Sequence, residues 1–408
     1  AGALLIGMSN AAIQFGTSAN IAKAIVLLLV ILFLQKKPQG LFTIHSRSLD
    51  EDQQNLLNDS FSAKKRNIAF GFVMIVIALL PLFLSPFRVS LVGKYITFAI
   101  VALSIDLIWG YTGILSLGHG VFFGLGAYGF GMYLKLVASG SSLPDFMSWS
   151  GRTSLPWFWD FYKTPSTTIF MIMLVPTALA FVLGLLTFMN RIKGVYFSIL
   201  SQALALVFVT LFVGLQGYTG GTNGITDFST LFGLPISKMS TKYIWYYVAL
   251  AFLVLTYALF SWIMRTRCGR VFVAIRDGEN RTRFSGYKVA NYKTFSYVVS
   301  ALFTGIAGVL YAHYLSTITA SKFDFNMSIL ILVFVVLGGL GNMSGTIVST
   351  SLLLVLPEAL RQFNDYRMII YSIVLIAVML IGNNSVIMSY IEAFLKKIKA
   401  IFIRKEAR

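Results

Sequence analysis

Acidic side chains, histidine and cysteine are scarce in this 408-residue chain, and each scarcity closes off a chemistry. A single cysteine, Cys268, leaves no partner for an intramolecular disulfide. The three histidines, His45, His119 and His313, stand far apart, without the spacing of a metal site. Charged residues make up only 12% of the chain, about half the share in soluble domains. No GxxxxGK(S/T) loop is present, so the chain does not itself bind ATP in a P-loop. Neither HExxH nor GxSxG on a strand–helix turn occurs, and no other catalytic constellation replaces them. The chain is not expected to be an enzyme and carries no cofactor or metal of its own.

What is abundant is apolar length. Hydrophobic residues reach 57%, mean hydropathy is +0.78, and apolar runs recur near the ~20 residues that cross a bilayer. The runs lack the apolar/polar alternation of a barrel, so the fold class is all-α, a polytopic transmembrane helical bundle. The net charge of +18 raises nucleic acid as a partner. However, 22 of the 33 Lys and Arg fall in four clusters between apolar runs, at 36–66, 191–193, 265–293 and 396–408. The aromatics lie inside the runs, so retention of positive charge on the cytoplasmic face accounts for the pattern and nucleic acid does not.

A first span is expected at 20–35, a polar linker at 50–66, and ten spans after residue 65. These fall near 68–85, 91–109, 120–138, 166–189, 195–215, 242–264, 294–315, 328–340, 345–358 and 367–382. Alternate crossings from Lys64 inside place every dense basic cluster on one face. The membrane domain is thus 67–390, and 391–408 reads as a basic amphipathic helix on anionic lipid. The chain opens at Ala1 in mid-pattern, so its natural start is expected upstream. The spans 328–340 and 345–358 are short and joined by Gly338, Gly339, Leu340, Gly341 and Asn342. They read either as part of a translocation pathway, with a tight turn at or near membrane depth, or as two tilted short helices joined by a turn at the cytoplasmic surface. Outside, Trp149, Trp157, Phe158 and Trp159 suit an interfacial belt or a lid under a soluble partner.

Three polar stretches inside the apolar pattern are pore candidates. The first holds Asp106, Tyr111, Thr112, Ser116 and His119; a carboxylate at the bilayer centre costs roughly 2.5–3.5 kcal/mol and must face protein or water. The second, Gly217–Asp227, contains Thr219 and Asn223 among four glycines, either an outer gate or a plain turn. The third places Ser198, Ser201 and Gln202 on one side of a helix, as pore lining or as helix–helix glue. Gly120–Gly131 is glycine-rich, without the strand and acidic residue of a dinucleotide site, and reads as close helix packing.

Six ordered runs carry a resemblance: DLIWGYTGILSLGHGVFFGLGAYGFGMYL, SLPDFM, LPWFW, RIKGVYFSIL, GYTGGTNGITDF and CGRVFVAIRDGENRTRFSGY. In this order they resemble the permease family of branched-chain amino acid ABC importers, and within it the second permease subunit of urea importers. Residues 1–49 resemble the C-terminal end of the partner permease. The resemblance implies a second homologous permease subunit, cytoplasmic ATPase subunits that bind ATP, a periplasmic solute-binding protein, and an inner-membrane location. Urea is the implied cargo, and a branched-chain amino acid the alternative. A channel or secondary transporter would share the glycine-broken spans but move substrate without ATP. The family also implies that a cytoplasmic loop docks on the ATPase, and Gly269–Tyr287 match it. Gly269 is expected to end one helix, Arg270–Arg276 to form a second, Asp277 and Gly278 to stop it, and Glu279 to open another turn through Arg281 towards Gly286. Val271, Phe272 and Ile275, framed by Arg270 and Arg276, form an apolar stripe suited to a partner's groove.

Overall fold

The computed structural model describes residues 71–359, apart from 72, 193, 227, 229, 232–233, 236–237 and 316. The first span, the linker, the span near 367–382 and the basic tail lie outside the described residues. The chain is helical as expected: a short apolar helix α1 (Val73–Leu82), then α2 (Pro86–Asp106), α3 (His119–Ser139), α4 (Pro165–Met189), α5 (Val195–Gly214) and α6 (Met239–Arg265). The basic segment follows as α7 (Arg267–Phe284), then α8 (Val289–Ala312), α9 (Phe325–Gly338) and α10 (Met343–Ala359). Six of these, α2 to α6 and α8, are long and apolar enough to span a membrane among the described residues. The pair α9 and α10 is bent by 119° at its break and counts as at most one further span. The only paired strands among the described residues are a two-residue hairpin, Thr230–Leu231 against Leu234–Pro235, in the loop between α5 and α6.

Local chemistry sets the helix starts. Pro86 and Pro165 occupy the first helical turn, where the missing N–H costs nothing and the fixed φ suits the helix. Asp324 caps α9 by accepting the Asn326 N–H.

Three helices form the interior. In their most apolar windows, α3 is 78% buried and α2 and α8 are 72% buried, whereas α4 and α5 are only 22% buried. Hydrophobic burial does not drive helices together in lipid, so close backbone packing must. The glycine-rich α3 supplies it: a side chain at Gly126 would strike the Gly305 carbonyl of α8, and one at Gly308 would strike the Phe123 carbonyl of α3. Pro176, inside α4, fills the space over Gly305. The α3–α8 crossing is therefore built from glycine, and α2 packs against α8 and α6 around it.

Candidate functional site

The backbone leaves the α-helix twice within the bundle. At the first break, α2 widens into a π turn, Leu107–Tyr111, and the chain then runs irregularly from Thr112 to Gly118. Non-helical backbone inside a membrane protein survives only where its polar groups find partners. Here serines from three other helices provide them. Ser201 of α5 accepts the Leu117 N–H at 3.0 Å, and Ser198 donates to the Leu115 carbonyl at 2.8 Å. Ser328 of α9 accepts the Gly120 N–H at 2.9 Å. Ser300 of α8 donates to the Ser104 carbonyl at 2.6 Å and lies 2.8 Å from His119 Nε2. With that proton committed, His119 donates from Nε2 and its Nδ1 accepts from Ser116, 3.1 Å away. Thr112 closes the π turn by donating to the Leu107 carbonyl.

Of the first set of pore candidates, Asp106, Thr112, Ser116 and His119 are thus buried and engaged inside the chain, with Tyr111 half-buried beside them. Ser198 and Ser201 brace the break, while Gln202 lies half-buried outside the brace. That Ser300 and Ser328 complete it was not readable from the sequence, where they look like ordinary helical serines.

The second break lies between α9 and α10. Gly339 and Gly341 take φ of +88° and +75°, the left-handed region open to glycine. Gly338 packs so closely on the Gly345–Thr346 backbone that no side chain fits. Asn342 organises the turn: its Oδ1 accepts the Gly345 N–H at 3.2 Å and the Ser344 hydroxyl at 2.9 Å.

One carboxylate ties the two breaks together. Asp106 Oδ1 accepts the Gly341 N–H at 2.8 Å, while its buried Oδ2 has no partner among the described residues. Gly110, one turn on, lies directly against the Gly341 backbone. Its carbonyl accepts from Arg276 Nη1 of α7 at 2.7 Å, and Arg276 Nε pairs with Asp277 at 2.8 Å. Asp106, Gly110 and Gly341 thereby meet the basic segment through a single guanidinium.

The basic segment folds as an elbow. The α6 helix stops at Thr266, with Gly269 pressed on the Met264 backbone, and α7 bends at Gly278 (φ −169°, ψ 74°). The halt at Asp277–Gly278 matches the sequence reading, but the first arm begins at Arg267. The apolar stripe requires a correction. Val271, Phe272 and Ile275 do not face outward: Val271 and Ile275 pack on Val289 and Tyr292, and Phe272 is 0% exposed in the main core beside Phe295. They are covered by the base of the chain's own α8. The outward face instead carries Arg270, Ala274, Asp277, Arg281, Phe284 and Tyr287, with Phe284 91% exposed. An open groove of about 330 Å³ runs along it between Ala274, Arg281, Ser285 and Tyr287, and Gly286 turns the chain at φ +88°. Glu279 faces inward, accepting from Arg283 and from the buried Lys293, each at 2.8 Å. A second cleft, about 280 Å³, lies between the elbow and the first break, lined by Thr112, Gly113, Phe188, Phe197, Arg276 and Lys293.

At the other end of the bundle the loops are knitted shut. The buried Thr219 donates to the Leu215 carbonyl at 3.0 Å, Asn223 is exposed, and Ile225 pairs with Ile318 as an antiparallel bridge. Gly224 lies so close to the Ile318 carbonyl that no Cβ fits. The aromatic loop is pinned here too: Trp159 donates to the Tyr218 carbonyl at 2.9 Å, Arg152 stacks over the Tyr218 ring, and the buried Lys135 pairs with Asp145 at 2.7 Å. That hydrogen bond from Lys135 holds the Asp145 carboxyl below its ordinary value. Trp149 and Trp157 remain exposed.

Spanning helices, two glycine-bearing interruptions and one basic elbow make this a polytopic helical membrane protein. A family model described as "Branched-chain amino acid transport system / permease component" matches residues 87–380, and the chain belongs to that family. It is 27% identical over 344 residues to the high-affinity branched-chain amino acid transport system permease protein LivM of Salmonella typhimurium, covering 79% of this chain and 75% of the relative. LivM of Escherichia coli is 26% identical over the same length and shares. A probable branched-chain amino acid transport permease protein LivM of Methanocaldococcus jannaschii is 26% identical over 254 residues, 60% of this chain and 73% of its own. No solved structure matches. The chain is accordingly a multi-pass inner-membrane permease, and its named relatives are transport proteins, not enzymes.

Proposed function

We propose that this chain is the membrane-spanning subunit of an ATP-driven importer that works by alternating access, with ATP bound by cytoplasmic partner subunits. A second homologous permease would complete the pathway, and a soluble binding protein would deliver cargo. The observation that carries the reading is the Arg276 bridge. The elbow α7, which has the exposed Phe284 and an open groove beside Arg281, holds the Gly110 carbonyl beside the Asp106–Gly341 bond. A partner that moves α7 therefore pulls on both helix breaks at once.

Two cargoes have support. The named relatives transport branched-chain amino acids, whereas the ordered motifs resemble urea permeases. Uptake of labelled leucine and labelled urea by the complex reconstituted with its partners separates them, and uptake that persists without ATP would instead indicate a channel or secondary transporter. For coupling, Phe284→Asp with Arg281→Glu is expected to abolish co-purification of the ATPase while membrane insertion stays normal. Undiminished co-purification would sink the docking role of this face.

A further inference from the structure

Among the described residues, two half-buried lysines meet at one aromatic ring with no carboxylate beside them. The buried Lys135 and Lys293 each meet a carboxylate, at 2.7 and 2.8 Å. Lys94, two turns into α2, and Lys322, in the short 3-10 turn Ala320–Phe323, are half-buried and meet none among the described residues. Both ammonium groups sit at one ring: Lys94 Nζ is 5.6 Å and Lys322 Nζ 5.3 Å from the centroid of Tyr311. That ring is packed against Phe98 at 5.2 Å and Phe123 at 5.0 Å, so both cations lie against one packed aromatic ring. Asp324, the acid nearest to Lys322 in sequence, accepts from the Asn326 backbone and side chain. Burial, and next the charge on Lys94, hold the Lys322 ammonium below its ordinary pKa. The cluster lies at the end of α8 opposite the elbow, on the side where cargo arrives under the importer reading.

Two desolvated like charges repel, and a partly buried cation in a membrane protein calls for a partner anion. We propose that Lys94 and Lys322 form an anion site, in which one carboxylate or phosphate group bridges the two ammonium groups beside Tyr311. A carboxylate would come from an amino-acid cargo, a source that rests on the importer reading above, and a phosphate from the headgroup of an anionic lipid. Urea, which is neutral, would not bind there.

The test uses the full chain with its partner subunits in nanodiscs of phosphatidylcholine, with or without phosphatidylglycerol. Thermal midpoints are compared with no addition, with millimolar leucine, and with leucinamide, which lacks the carboxylate. Leucine is expected to raise the midpoint by a few degrees and leucinamide not to, the effect vanishing in Lys94→Met/Lys322→Met and persisting in Lys94→Arg. A rise given by phosphatidylglycerol alone and lost in the double variant would support the site and assign it to lipid. No response to either anion, an equal response to leucinamide, or a response retained in the double variant would overturn it. ATP-driven uptake is measured separately: its absence beside an intact leucine response would remove the importer reading and leave the anion site standing.

Discussion

The two interruptions of the helical bundle meet the same problem in opposite ways. The break at Thr112–Gly118 is braced from a distance, by Ser198 and Ser201 on its own backbone and by Ser300 and Ser328 on the helix ends either side of it. At Gly339–Asn342 the turn is largely self-made, from left-handed glycines and Asn342, with Asp106 as its bond to α2. A break braced on several sides moves only if many hydrogen bonds are lost together. A break whose tie to α2 is one carboxylate is released by losing one. Under the alternating-access reading proposed above, the second would be the mobile joint and the first its rigid abutment.

The largest expected effect comes from steric change at the tight turn. Gly338→Val drives a branched side chain into the Gly345–Thr346 backbone and should cost upward of ~3 kcal/mol, seen as loss of monodisperse protein in size-exclusion chromatography. A well-folded variant would show that the turn has room the structure does not give it. Next, Asp106→Ala leaves the Gly341 N–H without its acceptor, a loss of roughly 1–3 kcal/mol, and should lower ATP-coupled uptake more than ATPase binding. Asp106→Asn keeps an acceptor oxygen and should be milder on both readouts. Ser201→Ala orphans the Leu117 N–H and should cost a similar ~1–3 kcal/mol in thermal stability, yet leave uptake per folded molecule unchanged. If Ser201→Ala uncoupled transport and Asp106→Ala did not, the roles of joint and abutment would be reversed.

A site away from both breaks supplies the smallest effect. Folding depresses the Asp145 carboxyl, so its pair with Lys135 stabilises the protein above the ordinary carboxylate pKa near 4. The contribution fades as pH falls through the lower folded value. Asp145 is 42% exposed, so Asp145→Asn should cost only about 1 kcal/mol at neutral pH and flatten the acid limb of stability.

Much of this architecture was legible in the sequence. Apolar runs at 166–189 and 195–215 match α4 and α5 within a residue. The expected span 91–109 begins instead at Pro86, because a proline that ends one apolar run can equally open the next helix. The break near Gly113 could be read from its glycines and polar residues, but its partners Ser201 and Ser328 stand 84 and 208 residues from the groups they bond. Pairing at such separations leaves no local pattern. The elbow teaches the complementary lesson. Periodicity correctly marked Val271, Phe272 and Ile275 as one apolar face, but an apolar face does not say who covers it, and here Val289 and Tyr292 of the same chain do.

Glu279 has a consequence in mechanical terms. By gripping Arg283 on its own arm and Lys293 in the first turns of α8, it clamps the elbow to the helix at the centre of the bundle. The link Ser285–Lys288 is therefore short-circuited and cannot act as a soft spring between them. Under the importer reading, a displacement imposed at Phe284 would pass to α8 with little lost to compliance and be borne by its glycine-built crossing with α3.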